Sequence, residues 1–178
     1  MTPSEKTASA VGQVPDSSMS GRRVFLRIYL ADHHAGSVGG VALAKRLARR
    51  DDEIGSTVSV VLGHIQEDQR ALLRLLSRVG GTRHRAKEAA VVLAERLGRL
   101  KLNGRWIGRS PLTPVLELEA MVLAVEGRSR LWQTMTQLAK DSYPDWDIDD
   151  MRRRANRAEA DAAALDRMRE AAVGTALG

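Results

Sequence analysis

Between Arg22 and Arg50, apolar or small residues recur at Leu26, Tyr29, Leu30, Gly36, Ser37, Gly40, Val41, Ala44, Leu47 and Ala48. At about 100° per residue these positions share one side of a helix, with Lys45, Arg46, Arg49 and Arg50 on the other. His33 projects near the centre of the apolar side and Asp32 away from it. A second stripe, Val58, Val61, Leu62, Ile65, Leu72, Leu75, Leu76 and Val79, predicts a helix capped by Ser56 or Thr57 and stopped at Gly80-Gly81. Asp68 and Gln69 interrupt that stripe on its own face, while Glu67 points outward.

The pattern continues from Thr82 to about Leu100, with Ala86, Ala89, Ala90, Leu93, Leu97 and Leu100 on one side. Lys101 to Pro114 then carries Asn103-Gly104, Gly108, Ser110-Pro111 and Thr113-Pro114, turn-makers at intervals that leave no room for a helix. A loop of that length inside one domain is a crossover or a functional element. From Pro114 to Lys140 the helical pattern is apolar on two sides. Leu118, Met121, Val122, Val125, Ser129 and Trp132 form one stripe; Leu116, Ala120, Leu123, Leu131 and Leu138 form the other. Such a helix is usually internal.

After Tyr143-Pro144-Asp145, the residues Ile148, Met151, Ala155, Ala158, Ala162, Leu165 and Ala172 repeat at three and four. They make an Ala-rich seam close to a coiled-coil pattern. Strand-like alternation is nowhere sustained. The fold expected is all-α: a four-helix bundle with one additional helix and a long connecting loop, over residues 22–178. Residues 1–21, rich in Ser, Thr, Pro and Gly, read as a disordered tail rather than a signal peptide.

Composition changes this picture in two places. The chain has no cysteine, which excludes disulfides, thiolate metal sites and cysteine nucleophiles. Aromatic residues are only 3% of it, so the core must be built from Leu, Val, Ile, Met and Ala. With no run long and apolar enough for a membrane span, the expected location is the cytoplasm and no membrane partner is expected. The net charge of +6 sits in one place: residues 83–110 hold eight Lys/Arg against two Glu, and the other segments cancel.

Three readings of function follow. An inward histidine on a bundle helix needs a partner. The first reading is therefore a buried polar network centred on His33, bonded to Asp68 or Glu126, with Glu126 paired to Arg130 one turn on. In this reading the protein acts by binding or assembly, most simply as a homodimer through the Ala-rich seam and the two-sided helix. The second is a metal-dependent bundle, possibly redox, in which His33, His64, Asp68, Glu119 and Glu126 hold Fe, Mn or Zn; the chain lacks the Glu-x-x-His of carboxylate bundles. The third is polyanion or nucleic-acid binding through Arg83, Arg85, Lys87, Arg96, Arg99, Lys101, Arg105 and Arg109, with Trp106 among them.

Hydrolytic chemistry finds no Gly-x-Ser-x-Gly elbow, and enzyme activity is the less favoured reading. Gly36 and Gly40 lack the strand and the Gly-Lys-Ser/Thr of a phosphate loop. As helix-interior glycines they instead imply that another backbone passes very close.

In its order of helices the chain resembles the ferritin-like class. The stretch Tyr29-Leu30-Ala31-Asp32-His33-His34-Ala35-Gly36 is similar to a group of uncharacterised helical proteins of high-GC bacteria. So are Leu97 to Arg105, Ser110-Pro111-Leu112 and Leu116-Glu117-Leu118-Glu119. The resemblance spans about residues 23–140. It implies a helical bundle and carries no iron-oxidising activity onto named residues.

Overall fold

The computed structural model describes residues 17–81 and 110–178. Within them the chain forms four helices: α1 Ser17–Leu47, α2 Glu53–Arg78, α3 Leu112–Asp141 and α4 Ile148–Leu177. No strand occurs among the described residues. The additional helix expected over Thr82–Leu100, and most of the loop after it, lie outside them.

Helix boundaries follow local chemistry, and two differ from expectation for physical reasons. The start of α2 is set by Asp52 rather than Ser56 or Thr57. Its backbone is extended and its carboxylate accepts the Gly55 N–H at 3.0 Å, the bond an N-cap supplies. Arg50 holds that carboxylate from outside, at 2.6 Å. The polar cluster Asp51-Asp52-Glu53 therefore leads into the second helix. Gly55 is required there, because a Cβ would run into the Arg50 carbonyl.

The stop of α2 is at Gly80-Gly81, as expected. Gly80 has φ +79°. Gly81 N–H bonds to the Leu76 carbonyl at 2.8 Å and Gly80 N–H to Ser77 at 3.1 Å. This is a Schellman closure, in which the left-handed residue is most easily glycine.

α1 begins at Ser17, earlier than its apolar stripe, and α3 begins at Leu112, before Pro114. Pro114 is tolerated because N–H groups in a helix's first turn have no intrahelical partner. Asp147 caps α4 by accepting the Asp150 N–H at 2.8 Å.

Two apolar clusters fix how the helices run. The first joins Leu26 and Leu30 of α1 to Leu72, Leu75 and Leu76 of α2, Trp132 and Met135 of α3, and Met151 and Ala155 of α4. The second joins Ala44 and Leu47 to Val58, Val61 and Ile65, Leu118, Met121 and Val125, and Leu165. Hence α1 and α4 run one way, and α2 and α3 the other. α1 packs on α2 and α3, and α4 on α3 and α2. Every neighbouring pair is antiparallel, and the parallel pairs lie across the diagonals.

The end of α2 and the start of α3 are at opposite ends of the bundle. The tightest pairing is α3 with α4. The Ala-rich seam is therefore spent inside the chain, which corrects its assignment to self-association. No helix of the described residues is long and apolar enough to cross a membrane.

Candidate functional site

The polar groups in the bundle's middle come from three helices. On α2, His64 and Asp68 are one turn apart; on α3, Arg128 and Trp132 are likewise; on α4, Arg154, Arg157 and Asp161 follow at three and four. Each set therefore faces inward at one level. Asp68 is only 4% exposed. Its Oδ1 accepts from Arg154 at 2.6 Å and Arg157 at 2.9 Å. Its Oδ2 accepts from the Trp132 indole at 3.0 Å and lies 3.4 Å from Arg128 Nε. Arg128, 8% exposed, reaches on to donate to Asp161 through Nη2. The other side of Asp161 meets His64 Nδ1 at 3.0 Å.

A carboxylate accepts only, so His64 Nδ1 is the donor to an ionised Asp161. The outer ends are tied as well. Arg154 also donates to Asp150 at 2.8 Å and lies 5.3 Å over the Trp132 ring; Arg157 donates to Glu67 at 2.6 Å. Burial pushes the Asp150 carboxyl up, but its hydrogen bond to Arg154 and the charges of Arg154 and Arg153 outweigh this and hold it below the usual range. A hydrogen bond from Arg157 does the same for Glu67. Asp68 accepts three hydrogen bonds, two on Oδ1 and one on Oδ2, all from fixed donors of α3 and α4, which suits a structural acceptor.

No protein-family model, curated protein or solved structure matches the chain. The site therefore rests on its own geometry.

That geometry redistributes the residues singled out by sequence. Asp68 is a network centre, but its partners are arginines and Trp132 rather than His33. His33 is half-buried and packs edge-on against Tyr29, centroids 4.6 Å apart. Burial lowers its pKa, opposed by the charge of Asp32. His64 turns to Asp161 and not to Asp68. Glu119 and Glu126 are exposed on α3, and Arg130 bonds to Gln133 instead of Glu126. The five expected metal ligands are thus not brought together. Among the described residues no group of three or more His, Asp or Glu is placed to hold a metal ion. The basic set from Arg83 to Arg109 lies outside the described residues.

Sequence reasoning missed Arg128, Arg154, Arg157 and Asp161. The signal was present for two of them. Arg128 falls between Val125 and Trp132 on the buried stripe of α3, and Asp161 between Ala158 and Leu165 on that of α4.

Beside the network, α1 and α3 stand apart and enclose a cleft of about 390 Å³. Gly36 and Gly40 line it from α1, and Leu123, Ala124, Gly127 and Arg128 from α3. Ser37 and Gln69 close its floor with a 2.9 Å hydrogen bond. A Cβ at Gly36, Gly40 or Gly127 would meet nothing within 4 Å. No backbone of the described chain passes close to them, which corrects the expectation for that glycine pair. Leu123, which lines the cleft, is 68% exposed, and Leu116, two turns earlier on α3, is 44% exposed.

Proposed function

We propose that the protein acts by assembly, as a homodimer in which the outer stripe of α3 packs into the α1–α3 cleft of a second copy. The observation that carries this is the trio of helix-interior glycines facing open space in a cleft edged by the exposed Leu123. Each glycine costs a helix about 1 kcal/mol relative to alanine, and nothing in the described chain uses the room it leaves. A partner helix would use it.

The stripe itself supports an isologous antiparallel pairing. Leu112, Leu116, Ala120, Leu123 and Gly127 repeat at three and four along one face of α3, the period of a helix seam. With the two-fold midway between Leu123 and Gly127, each Leu123 sits over the partner's Gly127, a knob over a hole. The same axis sets Glu119 opposite the partner's Arg130 on one flank, twice by symmetry. Neither residue makes an ion pair among the described residues. The charged network holds the inner faces of α2, α3 and α4, so the pairing surface is presented on a fixed frame.

The antiparallel neighbours and the opposed ends of α2 and α3 support a ferritin-like layout, with its one long crossover. Without Glu-x-x-His, and with Glu119 and Glu126 on the surface, that likeness is one of frame and not of metal chemistry.

Light scattering behind size exclusion tests the proposal. The expected result is a dimer at micromolar concentration, a monomer for Leu123→Glu and Glu119→Arg, and a dimer again when Glu119→Arg is combined with Arg130→Glu. A wild-type monomer throughout the micromolar range, or a Leu123→Glu dimer, would refute it.

A further inference from the structure

At the end of the bundle away from Ala44 and Leu47, the start of α1, the end of α2 and the α3–α4 connection surround a recess of about 780 Å³. It is a separate surface from the proposed dimer face. Arg23 and Arg27 reach it from α1, one turn apart, and Arg78 from the last turn of α2. Arg27 lies along Gly80, its Nη1 3.8 Å from where a Cβ would stand. Opposite them are Tyr143 and Trp146, whose rings stack 4.2 Å apart at 13°. Trp146 is the buried ring and Tyr143 the half-buried one that covers it. Asp145 also lines the recess, the single acidic residue there among the described residues.

The three arginines differ from those elsewhere in how they are used. On α4, Arg152, Arg153, Arg154, Arg157 and Arg169 are all in ion pairs. Arg23, Arg27 and Arg78 make no hydrogen bond or ion pair among the described residues. The helix ends do not neutralise them. Two helices begin and two end at this side, so their dipoles oppose one another. The terminal carbonyls are engaged as well: Leu76 and Ser77 by the Schellman closure, and Leu138 by the N–H groups of Ser142 and Tyr143.

We infer that this recess binds a phosphate ester carrying a planar ring, the phosphate held by Arg23, Arg27 and Arg78 and the ring laid on Tyr143. Guanidinium groups match phosphate oxygens two at a time. Three of them outweigh Asp145 and suit the dianion of a terminal phosphate. A half-exposed aromatic ring, backed by a second ring that stops it from turning, offers a face on which a nucleobase stacks. The chemistry is that of a nucleotide, either free or at the end of a single strand.

Isothermal titration of the full chain at low salt tests this with AMP, adenosine, inorganic phosphate and a 5′-phosphorylated single-stranded deoxyadenylate. AMP is expected to bind more tightly than adenosine or inorganic phosphate. If the strand binds more tightly than AMP, the source is a nucleic acid end; if not, it is a free nucleotide. In either case Arg27→Gln/Arg78→Gln should lose at least about tenfold in affinity, the scale of one charged hydrogen bond. Arg152→Gln/Arg153→Gln, with the same change in net charge, should lose none, and Tyr143→Ala should reduce AMP to the level of inorganic phosphate. No AMP binding, binding kept in Arg27→Gln/Arg78→Gln, or equal loss in both double variants would overturn the site.

Discussion

Asp68 is held by donors from both α3 and α4, so replacing it strands cations rather than deleting one contact. Asp68→Asn leaves Arg154, Arg157 and Arg128 facing a neutral amide and is expected to cost about 3–5 kcal/mol, the cost of breaking a buried pair. Trp132→Phe removes one neutral donor while keeping an aromatic, though smaller, side chain, and should cost about 1 kcal/mol beyond the lost packing. Urea denaturation read by circular dichroism measures both. His33 supplies a pH dependence of known sign. Its folded pKa lies below the ordinary 6.5, by burial, so its contribution is complete above that value and is lost as pH falls through the folded pKa. The stability difference between wild type and His33→Gln should therefore shrink from pH 8 to 5 (about one and a half units either side of an ordinary histidine). A difference that stays flat would place His33 in solvent.

At the scale of single helices, glycine has opposite meanings within α2. Gly55 sits where a side chain would strike the Arg50 carbonyl; Gly63 is exposed with nothing near it. Gly55→Ala should lower the melting temperature by displacing the Asp52 cap, whereas Gly63→Ala should stabilise by about 1 kcal/mol through helix propensity. A thermal melt of the two variants side by side decides it, and equal shifts of the same sign would contradict the geometry.

The helices themselves were legible because stripes such as Leu72, Leu75, Leu76 and Val79 repeat at a period only a helix has. Their ends were less so. Asp51-Asp52-Glu53 fits the end of one helix and the start of the next equally well, and only the Asp52–Gly55 bond distinguishes them. Arg128 and Asp161 were passed over because a charge on an apolar stripe looks like an interruption until its partner on another helix is known. Those partners lie 33 to 97 residues away in sequence, and periodicity holds no information over that distance.

For the whole molecule, helix directions and diagonals come from which apolar sets meet, and the sequence leaves that pairing open. The order in which the pairings form is a further consequence. α1 with α2, and α3 with α4, are joined by short connections, so each hairpin can close early with little loss of chain entropy. Contacts between the hairpins, such as His64 with Asp161 across 97 residues, come after the larger loop closes. Docking of the two preformed hairpins would then be the late event in folding, and the charged network its final latch. In stopped-flow chevrons, His64→Ala should speed unfolding and leave refolding almost unchanged, while Ala158→Gly, within the α3–α4 seam, should slow refolding. The parallel diagonals thus determine more than shape: they divide the chain into two halves that can recognise each other only once each has taken form.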